Sequence, residues 1–270
     1  MGKQYANFGS YEGNCPPERK AWKQNGGSPP PVPVVETMEP YQYIQFPEHM
    51  GTIPLETEFF DMLTTKQARE YLEWYKSEVP KRFEYLISYC AREMKIPRSE
   101  LLKFPEGCIP LWKWFQTKLT MRPTTQEEQD KMRREFGFLG EWHVLKRIVT
   151  EESRSIAYDI SMYFGYQLIL HYPNDLEWGY VLKPKDIVYL KSPLVVGFGA
   201  HYDSRGKLRK GAMAPSQAIG KQWCKIYHAD LRMEDDDLYQ SAIAIMDMVK
   251  TVEGMVVPPV EPVWGDLEAD

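Results

Sequence analysis

The residue types best suited to chemistry lie in one short stretch, GFGAHYDSRGK, at positions 197–207. His201 and Asp203 are two residues apart, so on a strand they would face the same side. That arrangement suits two metal ligands, or a general base with a carboxylate that orients it. A metal site needs at least a third ligand, and His228 and the acidic cluster 234–237 are candidates. The spacing along the chain does not itself bring these groups together.

The glycines of this stretch do not fit the nucleotide-binding patterns. A phosphate-binding P-loop has four residues between its glycines, whereas six separate Gly199 from Gly206. It also needs Ser or Thr after its lysine, and Leu208 follows Lys207. A dinucleotide fingerprint would need glycine where Tyr202 stands. The alternative to a catalytic site is therefore a turn after a buried strand, in which glycines permit tight geometry and charged side chains stay in water.

No complete catalytic or metal-binding motif occurs elsewhere in the sequence. There is no G-x-S-x-G, no H-E-x-x-H and no C-x-x-C, and no cofactor is indicated. The widely spaced cysteines are Cys15, Cys90, Cys108 and Cys224. Free thiols in a chain of 270 residues are typical of a reducing compartment. Cys90 lies on the apolar stripe of a predicted helix, which favours a buried structural thiol over a reactive one.

The charge is unevenly distributed along the chain. Residues 229–270 carry 11 acidic and 2 basic side chains, a net charge of −9, whereas residues 202–228 carry a net +5. Opposite segments of this kind can pair with each other, form a binding face partly covered by the chain's own tail, or simply be two solvated faces. The candidate binding residues in them are Arg205, Lys207, Arg209, Lys210, Trp223, Glu234, Asp235, Asp236 and Asp237.

Nucleic-acid binding is a weaker interpretation of the basic segment. Its cations are interleaved with Trp223 and followed by Tyr227, a pattern that suits stacking on single strands. However, six cations are few, the pI is about 5.7, and no nucleic-acid-binding module is visible. The sequence also lacks an apolar run of 18 residues and an N-terminal secretory signal, so we expect a cytoplasmic protein with no membrane association.

Helical periodicity dominates the first half of the chain. Helices are predicted over 64–79, 108–119, 124–141 and 150–172, with capping boxes at Thr64/Gln67 and Thr124/Glu127. Pro80 indicates either the first turn of a second helix, giving an αα-hairpin, or one kinked rod. Two further helices are predicted near the C-terminus, over 214–227 and 234–252.

Short apolar segments predict a small sheet between these helices. The segments 176–182, 186–190 and 193–198 are rich in β-branched or aromatic residues and predict three antiparallel strands, and YQYIQF (41–46) predicts a short edge strand. The fold class is therefore α+β, with a helical N-terminal half packed with a small antiparallel sheet and flanking C-terminal helices.

Proline and glycine mark the ends of the expected domain. Residues 1–40 predict an extended Pro/Gly-rich arm, 41–253 a single domain, and 254–270 an acidic Pro-rich tail. Within the domain, a helical part covers 60–150 and a sheet-containing part covers 151–253.

One region resembles a family of bacterial α+β proteins of unknown function. In that family a helix with D-x-G-x-Y-x-G-E precedes a Trp-containing strand and a P-[VL]-[LV]-x-G-F strand, and IPLWKWF (109–115) also resembles an upstream segment. Asp159, Tyr163 and Gly165 match the helix pattern, and Ser161 and Tyr166 depart from it. The resemblance implies a bacterial, intracellular α+β domain and implies no activity.

These observations favour a non-enzymatic intracellular protein-interaction module whose partner is another protein. A specific form is an immunity- or antitoxin-type protein that binds a basic toxin through its acidic C-terminal part. The alternatives are a small enzyme that uses His201 and Asp203, and a nucleic-acid-binding accessory that uses segment 205–225.

Overall fold

The computed structural model describes residues 39–47, 60, 62–136, 144–182, 190–202, 208–227 and 232–253. The chain divides into two units at Pro40, and every element below belongs to the second, Tyr41–Asp270. The helices are α1 (Thr65–Met94), α2 (Arg98–Leu102), α3 (Cys108–Lys118), α4 (Gln126–Phe136), α5 (Glu151–His171), α6 (Pro215–Tyr227) and α7 (Asp237–Glu253). The strands are β1 (Met121–Pro123), β2 (Arg147–Val149), β3 (Glu177–Gly179), β4 (Leu194–Tyr202) and β5 (Leu208–Met213). The predicted α+β class is confirmed.

Helix α1 is one continuous helix that runs through Pro80. Of the two arrangements that the sequence allows, the single rod is the one observed. The predicted capping box is confirmed, because the Thr64 side chain accepts from the Gln67 backbone N–H and the Gln67 side chain accepts from the Thr64 backbone N–H. At the other end, Lys95 adopts a left-handed conformation with φ 56° and returns its N–H to the last carbonyls.

Helix α5 is the centre of the molecule and packs against α1 on one side and α6 on another. Fourteen of its residues are buried, so the helix is surrounded by protein instead of presenting one stripe. A core cluster joins it to α1 through Tyr71, Tyr75, Val79, Tyr158 and Met162. None of the described helices is both long and apolar enough to cross a lipid bilayer.

Two small antiparallel sheets accompany the helices. Strands β1 and β2 form a two-stranded ladder, and the other sheet has the order β3-β4-β5. The strand predicted over 193–198 continues to Tyr202, so the first part of the GFGAHYDSRGK stretch is strand and not turn. Strand β5 is not predicted, because its sequence LRKGAM is too polar to show strand periodicity. The strand predicted over 186–190 falls mostly outside the described residues.

Gly197 forms a bulge in β4 that requires a glycine. Its φ is +116°, and a Cβ at this position would lie 1.9 Å from the carbonyl oxygen of Asp175. The register with β5 shifts at the same point, between Val196 and Phe198. The first glycine of the stretch therefore has a structural role within the sheet.

The strand predicted over 41–46 is wrong, because these residues have no regular secondary structure. Their backbone is hydrogen-bonded to side chains of α1 and to no strand among the described residues. The Gln42 N–H donates to the Tyr85 hydroxyl at 2.5 Å, and the Gln42 carbonyl accepts from Arg82 at 2.8 Å. Ile44 is buried in the same core cluster. We refer to residues 41–46 as the strap.

The N-cap residue of helix α4 lies one position later than predicted. Thr125 and Glu128 form the reciprocal capping bonds, at 3.2 and 2.7 Å, whereas Thr124 donates to the carbonyl of Leu145. The Thr124/Glu127 prediction is therefore wrong by one position. A shift of this size is the usual error of a spacing rule, since two threonines stand side by side at the start of the helix.

Candidate functional site

The described surface contains a groove between α1 and β3 with a volume of about 310 Å³. One wall is the helix face formed by Arg69, Leu72, Glu73 and Lys76, which repeat at the helical spacing. The other wall is β3 and the residues that follow it, which are Glu177, Trp178, Gly179, Tyr180 and Leu182, with Val196 of β4 behind them. This volume lies at the lower end of the range of ligand pockets.

The groove reaches the edge of β3 and also one face of the sheet, because Val196 of the paired strand β4 belongs to its lining. Successive strand residues point to opposite faces of a sheet, so a groove on one face would be lined by alternate residues. Here the four consecutive residues 177–180 all line it. The opposite edge of β3 pairs with β4, in the register Trp178 to Val195. Strand β3 is an edge strand, and its second edge has no partner strand among the described residues.

Trp178 fixes the distance between the two walls. Its ring meets Tyr75 of α1 edge-on, with 5.0 Å between the ring centroids. On its other side the ring lies against Gly165 of α5, where an added Cβ would be 2.3 Å from the tip of the indole and 2.8 Å from Pro215. Only a glycine at 165 lets the ring reach this depth. The strand is thereby held beside α1 with the groove between them.

Strand β3 runs antiparallel to α1. Trp178 contacts Tyr75 in the middle of the helix. Lys191 links the residues after β3 to the segment before α1. Its backbone N–H donates to the Val181 carbonyl at 2.8 Å, and its ammonium group donates to the Leu63 carbonyl at 2.5 Å. Val181 is thus on the side where α1 begins. Arg69 consequently lies toward the Tyr180–Leu182 end of the groove, and Lys76 toward the Trp178 end.

The antiparallel course of β3 along α1 determines which charged side chains lie at each end of the groove. Lys76 and Glu73 pair with each other at 3.3 Å. Arg69 and Glu177 are exposed, and neither forms an ion pair with another described residue. Tyr180 also lines the groove, and its hydroxyl is buried with no hydrogen-bond partner among the described residues. A buried polar atom without a partner is uncommon in proteins, and this hydroxyl has no surface from which to reach a ligand.

A second polar cluster lies deep between α1 and α5. Arg82 donates two hydrogen bonds of 2.8 and 2.5 Å to the fully buried Asp159, and the Tyr41 hydroxyl donates to the same carboxylate at 2.6 Å. Burial raises the pKa of Asp159 above its ordinary value, and the hydrogen bonds from Arg82 and Tyr41 oppose that rise. The arginine also stacks on Tyr85, 4.6 Å from the ring centroid. The cluster holds the strap to both helices, and Asp159 has no surface from which to reach a ligand.

The residues that carry the family resemblance all have structural roles. Asp159 forms the buried ion pair with Arg82, and Tyr163 donates to the Leu101 carbonyl at 2.7 Å. Gly165 lies against the ring of Trp178. These contacts connect α5 to α1, α2 and β3. The pattern therefore describes how the central helix is packed, and it names no reactive group.

The predicted acid–base pair is only partly described. His201 lies in β4, opposite Arg209 of β5 in the strand register, and Lys210 is opposite Ala200. Asp203, Arg205 and Lys207 lie outside the described residues, and Trp223 lies on α6. The register thus brings the backbones of His201 and Arg209 together. The catalytic role of His201 and Asp203 stays a prediction.

The four acidic candidates lie at the start of α7, and the carboxylates of three of them bind within the protein. Asp237 pairs with Lys225 of α6 and accepts from the Glu234 N–H at 2.8 Å, and Asp235 pairs with Lys113 of α3 at 3.0 Å. Asp236 accepts from the Gln240 side chain at 2.9 Å. These contacts attach α7 to its neighbours. A role for this cluster in binding a basic partner stays a prediction.

The groove residues cannot be recognised as a site from the sequence alone. In the sequence, Arg69 and Leu72 are ordinary residues of a predicted helix, and Tyr180 is an ordinary residue of a predicted strand. The two walls are separated by about a hundred positions, and no local pattern links them. Across the described part of the chain, no group of three or more His, Cys, Asp or Glu side chains is placed to hold a metal ion.

The prediction that Cys90 is buried is confirmed, and Cys108 is buried as well. Burial raises the pKa of both thiols. We therefore expect a thiol-specific aromatic disulfide reagent at pH 8 to leave Cys90 and Cys108 unmodified in the native protein and to modify both in 8 M urea. Peptide mass spectrometry identifies the positions, and rapid native modification of either one would contradict the burial.

The inference about function therefore rests on the geometry of the groove, because comparison with known proteins finds no match. No protein-family model, no curated protein and no solved structure matches this chain.

Proposed function

We propose that this protein is a non-enzymatic protein-interaction module that binds an extended segment of a partner protein in the groove between α1 and β3. The observation that carries the proposal is the lining of the groove by the consecutive residues 177–180. A strand edge presents backbone N–H and C=O groups at a regular spacing, and an extended polypeptide is the ligand that satisfies them.

The dimensions of the two walls fit a short extended segment. From Arg69 to Lys76 the helix rises about 10 Å, and a three-residue strand such as β3 covers about the same length. Leu72, Trp178 and Leu182 give the space between the walls an apolar lining. A segment of three or four residues can therefore pair with the strand edge and place an apolar side chain against the helix.

Backbone methylation tests this mode of binding. Hexapeptides selected on phage against the whole chain are synthesised with one N-methyl group at each position in turn. Hydrogen bonds to one strand edge use alternate residues of an antiparallel or parallel neighbour. We expect affinity to fall about tenfold at alternate positions, the effect of losing one hydrogen bond of about 1.4 kcal/mol, and to change little between them.

Amide chemical shifts locate the binding site in the same experiment. The amides of residues 177–180 are expected to shift on titration, whereas those of α4 are not, because α4 contributes no residue to the groove lining. An affinity profile that repeats every three or four residues would indicate a helical ligand and contradict strand addition. Recovery of no peptide that shifts residues 177–180 would contradict the proposal as a whole.

A further inference from the structure

We infer that docking of the strap on α1 and α5 controls how tightly the groove binds its partner segment, an inference that rests on the proposed function and specifies how the same site is regulated. Two properties of the molecule support it. The strap is attached in a way that lets it dock and undock as a unit, and a row of aromatic rings joins it to a wall of the groove.

The strap is attached to the rest of the described protein by few hydrogen bonds, and these lie close together. It has no regular secondary structure, and each hydrogen bond that joins it to other described residues ends on Arg82, Asp159 or Tyr85. Arg82 itself bonds to Asp159 and stacks on Tyr85, so these three side chains form one attachment point. Beyond it the strap is held by apolar contacts, chiefly those of Ile44 and Phe46.

The free energy of docking is a small difference between opposing effects. Docking buries the side chains of Tyr41, Ile44 and Phe46 fully or in part and forms three hydrogen bonds. It also orders the backbone of residues 41–46, and the conformational entropy lost is of the same order as those gains. A single substitution in the strap can therefore move the balance from the docked to the undocked state.

A row of four aromatic rings connects the strap to the groove wall. Phe46 of the strap lies 5.4 Å from Tyr158 of α5, measured between the ring centroids. Tyr158 meets Tyr75 of α1 at 6.1 Å, and Tyr75 meets Trp178 of β3 at 5.0 Å. All four rings belong to, or pack against, the core cluster that contains Ile44. The last ring of the row is the one that fixes the distance between the two groove walls.

The positions of the buried rings depend on the strap being in place. Tyr158 and Tyr75 are both buried, and Tyr158 contacts the strap and Tyr75 at the same time. Undocking removes packing atoms from Tyr158, and in a close-packed core its movement is passed to Tyr75 and from there to Trp178. A docked strap thus keeps the groove at the width that accepts a segment. Linkage requires the reverse as well, so a bound segment stabilises the docked strap.

Two indole N–H signals in the NMR spectrum separate docking from coupling in the protein without a ligand. The Trp114 ring lies 6.1 Å from the ring of Tyr41 and reports whether the strap is docked, whereas Trp178 reports the groove wall. In the Ile44→Ser variant we expect both signals to move. Gln45→Ser is the matched control, because Gln45 is exposed and its side-chain amide bonds within the strap. Both signals are expected to keep their positions in the control.

A hexapeptide selected for the groove measures the same coupling as an affinity. We expect it to bind Ile44→Ser about fivefold more weakly than the unmodified chain, a coupling at the lower end of the usual range between two sites. Its affinity for Gln45→Ser is expected to be unchanged. In the unmodified chain, saturating peptide is expected to slow hydrogen exchange at the Gln42 amide by a similar factor, because this N–H bonds to the Tyr85 hydroxyl only when the strap is docked.

Tyr41→Phe is a milder second variant, for use if Ile44→Ser does not fold. It removes only the hydroxyl that donates to Asp159 and keeps the ring. We expect the Trp114 and Trp178 signals to move in the same directions as in Ile44→Ser, by a smaller amount. Far-UV circular dichroism checks that each variant is folded before the signals are compared.

The outcomes separate this inference from the function on which it rests. If the Trp114 signal moves and the Trp178 signal does not, the strap undocks without affecting the groove and the inference is overturned. If neither signal moves in a folded Ile44→Ser, the strap is not a separable element, which overturns it as well. Equal peptide affinities for Ile44→Ser and the unmodified chain would overturn it while strand addition stands. If no selected peptide shifts residues 177–180, the proposed function fails, whereas the two indole signals still decide whether strap and groove wall are coupled.

Discussion

The Arg82→Met variant is expected to lose about 3–5 kcal/mol of unfolding free energy, because it leaves a carboxylate buried without its counterion. Asp159 is fully buried, and Arg82 supplies two of the hydrogen bonds to it. Methionine preserves much of the volume of the arginine stem but none of its donors. Urea unfolding followed by far-UV circular dichroism measures the change.

Two further variants distinguish loss of the ion pair from loss of packing. Arg92→Met makes the same substitution at an exposed site on α1, where a change within about 0.5 kcal/mol is expected. The double variant Arg82→Met/Asp159→Leu removes both charges, and we expect it to recover most of the stability. A double variant no more stable than Arg82→Met would contradict this explanation.

The loss of unfolding free energy in Arg82→Met is expected to depend on pH in a defined direction. Without Arg82, the main group that opposes the effect of burial is gone, so the folded-state pKa of Asp159 rises further above its unfolded value of about 3.9. The folded state then binds a proton more tightly than the unfolded state. The defect is therefore smallest below the unfolded pKa and grows as the pH rises toward the folded pKa. Unfolding free energies measured from pH 3.5 to 7.5 test this direction.

The Gly165→Ala variant is expected to cost about 1–3 kcal/mol, opposite in sign to the usual effect of this substitution in a helix. The new Cβ would overlap the Trp178 ring and Pro215, at 2.3 and 2.8 Å. Both neighbours are rigid rings, so the overlap must be relieved by movement of β3 or α6. Because Trp178 sets the width of the groove, peptide affinity is expected to fall by more than the fraction of unfolded protein explains.

Gly220→Ala is the matched control in helix α6. A Cβ at Gly220 has no atom within 4 Å, so we expect this variant to gain up to about 1 kcal/mol from helix propensity alone. Adding Trp178→Phe to Gly165→Ala shortens the opposing ring and is expected to recover part of the loss. A stabilising Gly165→Ala would show that the ring is not wedged against this glycine.

Local signals in the sequence predict the helices well and the contacts between them poorly. Thr64 and Gln67 lie within one turn, so the capping box that begins α1 can be read directly. Strand β5 has no such signal, because four of its six residues are Leu, Arg, Lys and Gly in no alternating order. The strap resembles a strand in its alternation, but it lies against helix side chains and has no neighbouring strand among the described residues.

The ion pair and the groove depend on distances that no local pattern spans. Arg82 and Asp159 are 77 residues apart, and each alone looks like an ordinary charged residue of an amphipathic helix. Conversely, the acidic run 234–237 is conspicuous in the sequence, yet its contacts attach α7 to α3 and α6. A run of charges is easy to see in a sequence, whereas a single buried charge is identified only when its position in the fold is known.

The position of α1 opposite the free edge of β3 limits how many strands can be added. An open sheet edge accepts one strand, which then offers its own edge to the next, and this propagation leads to fibres. Here the far side of the space beside β3 is a helix wall, so an added strand would face side chains of α1 and not another vacant edge. If a segment adds beside β3 as proposed, α1 leaves no vacant edge beyond it for a second strand.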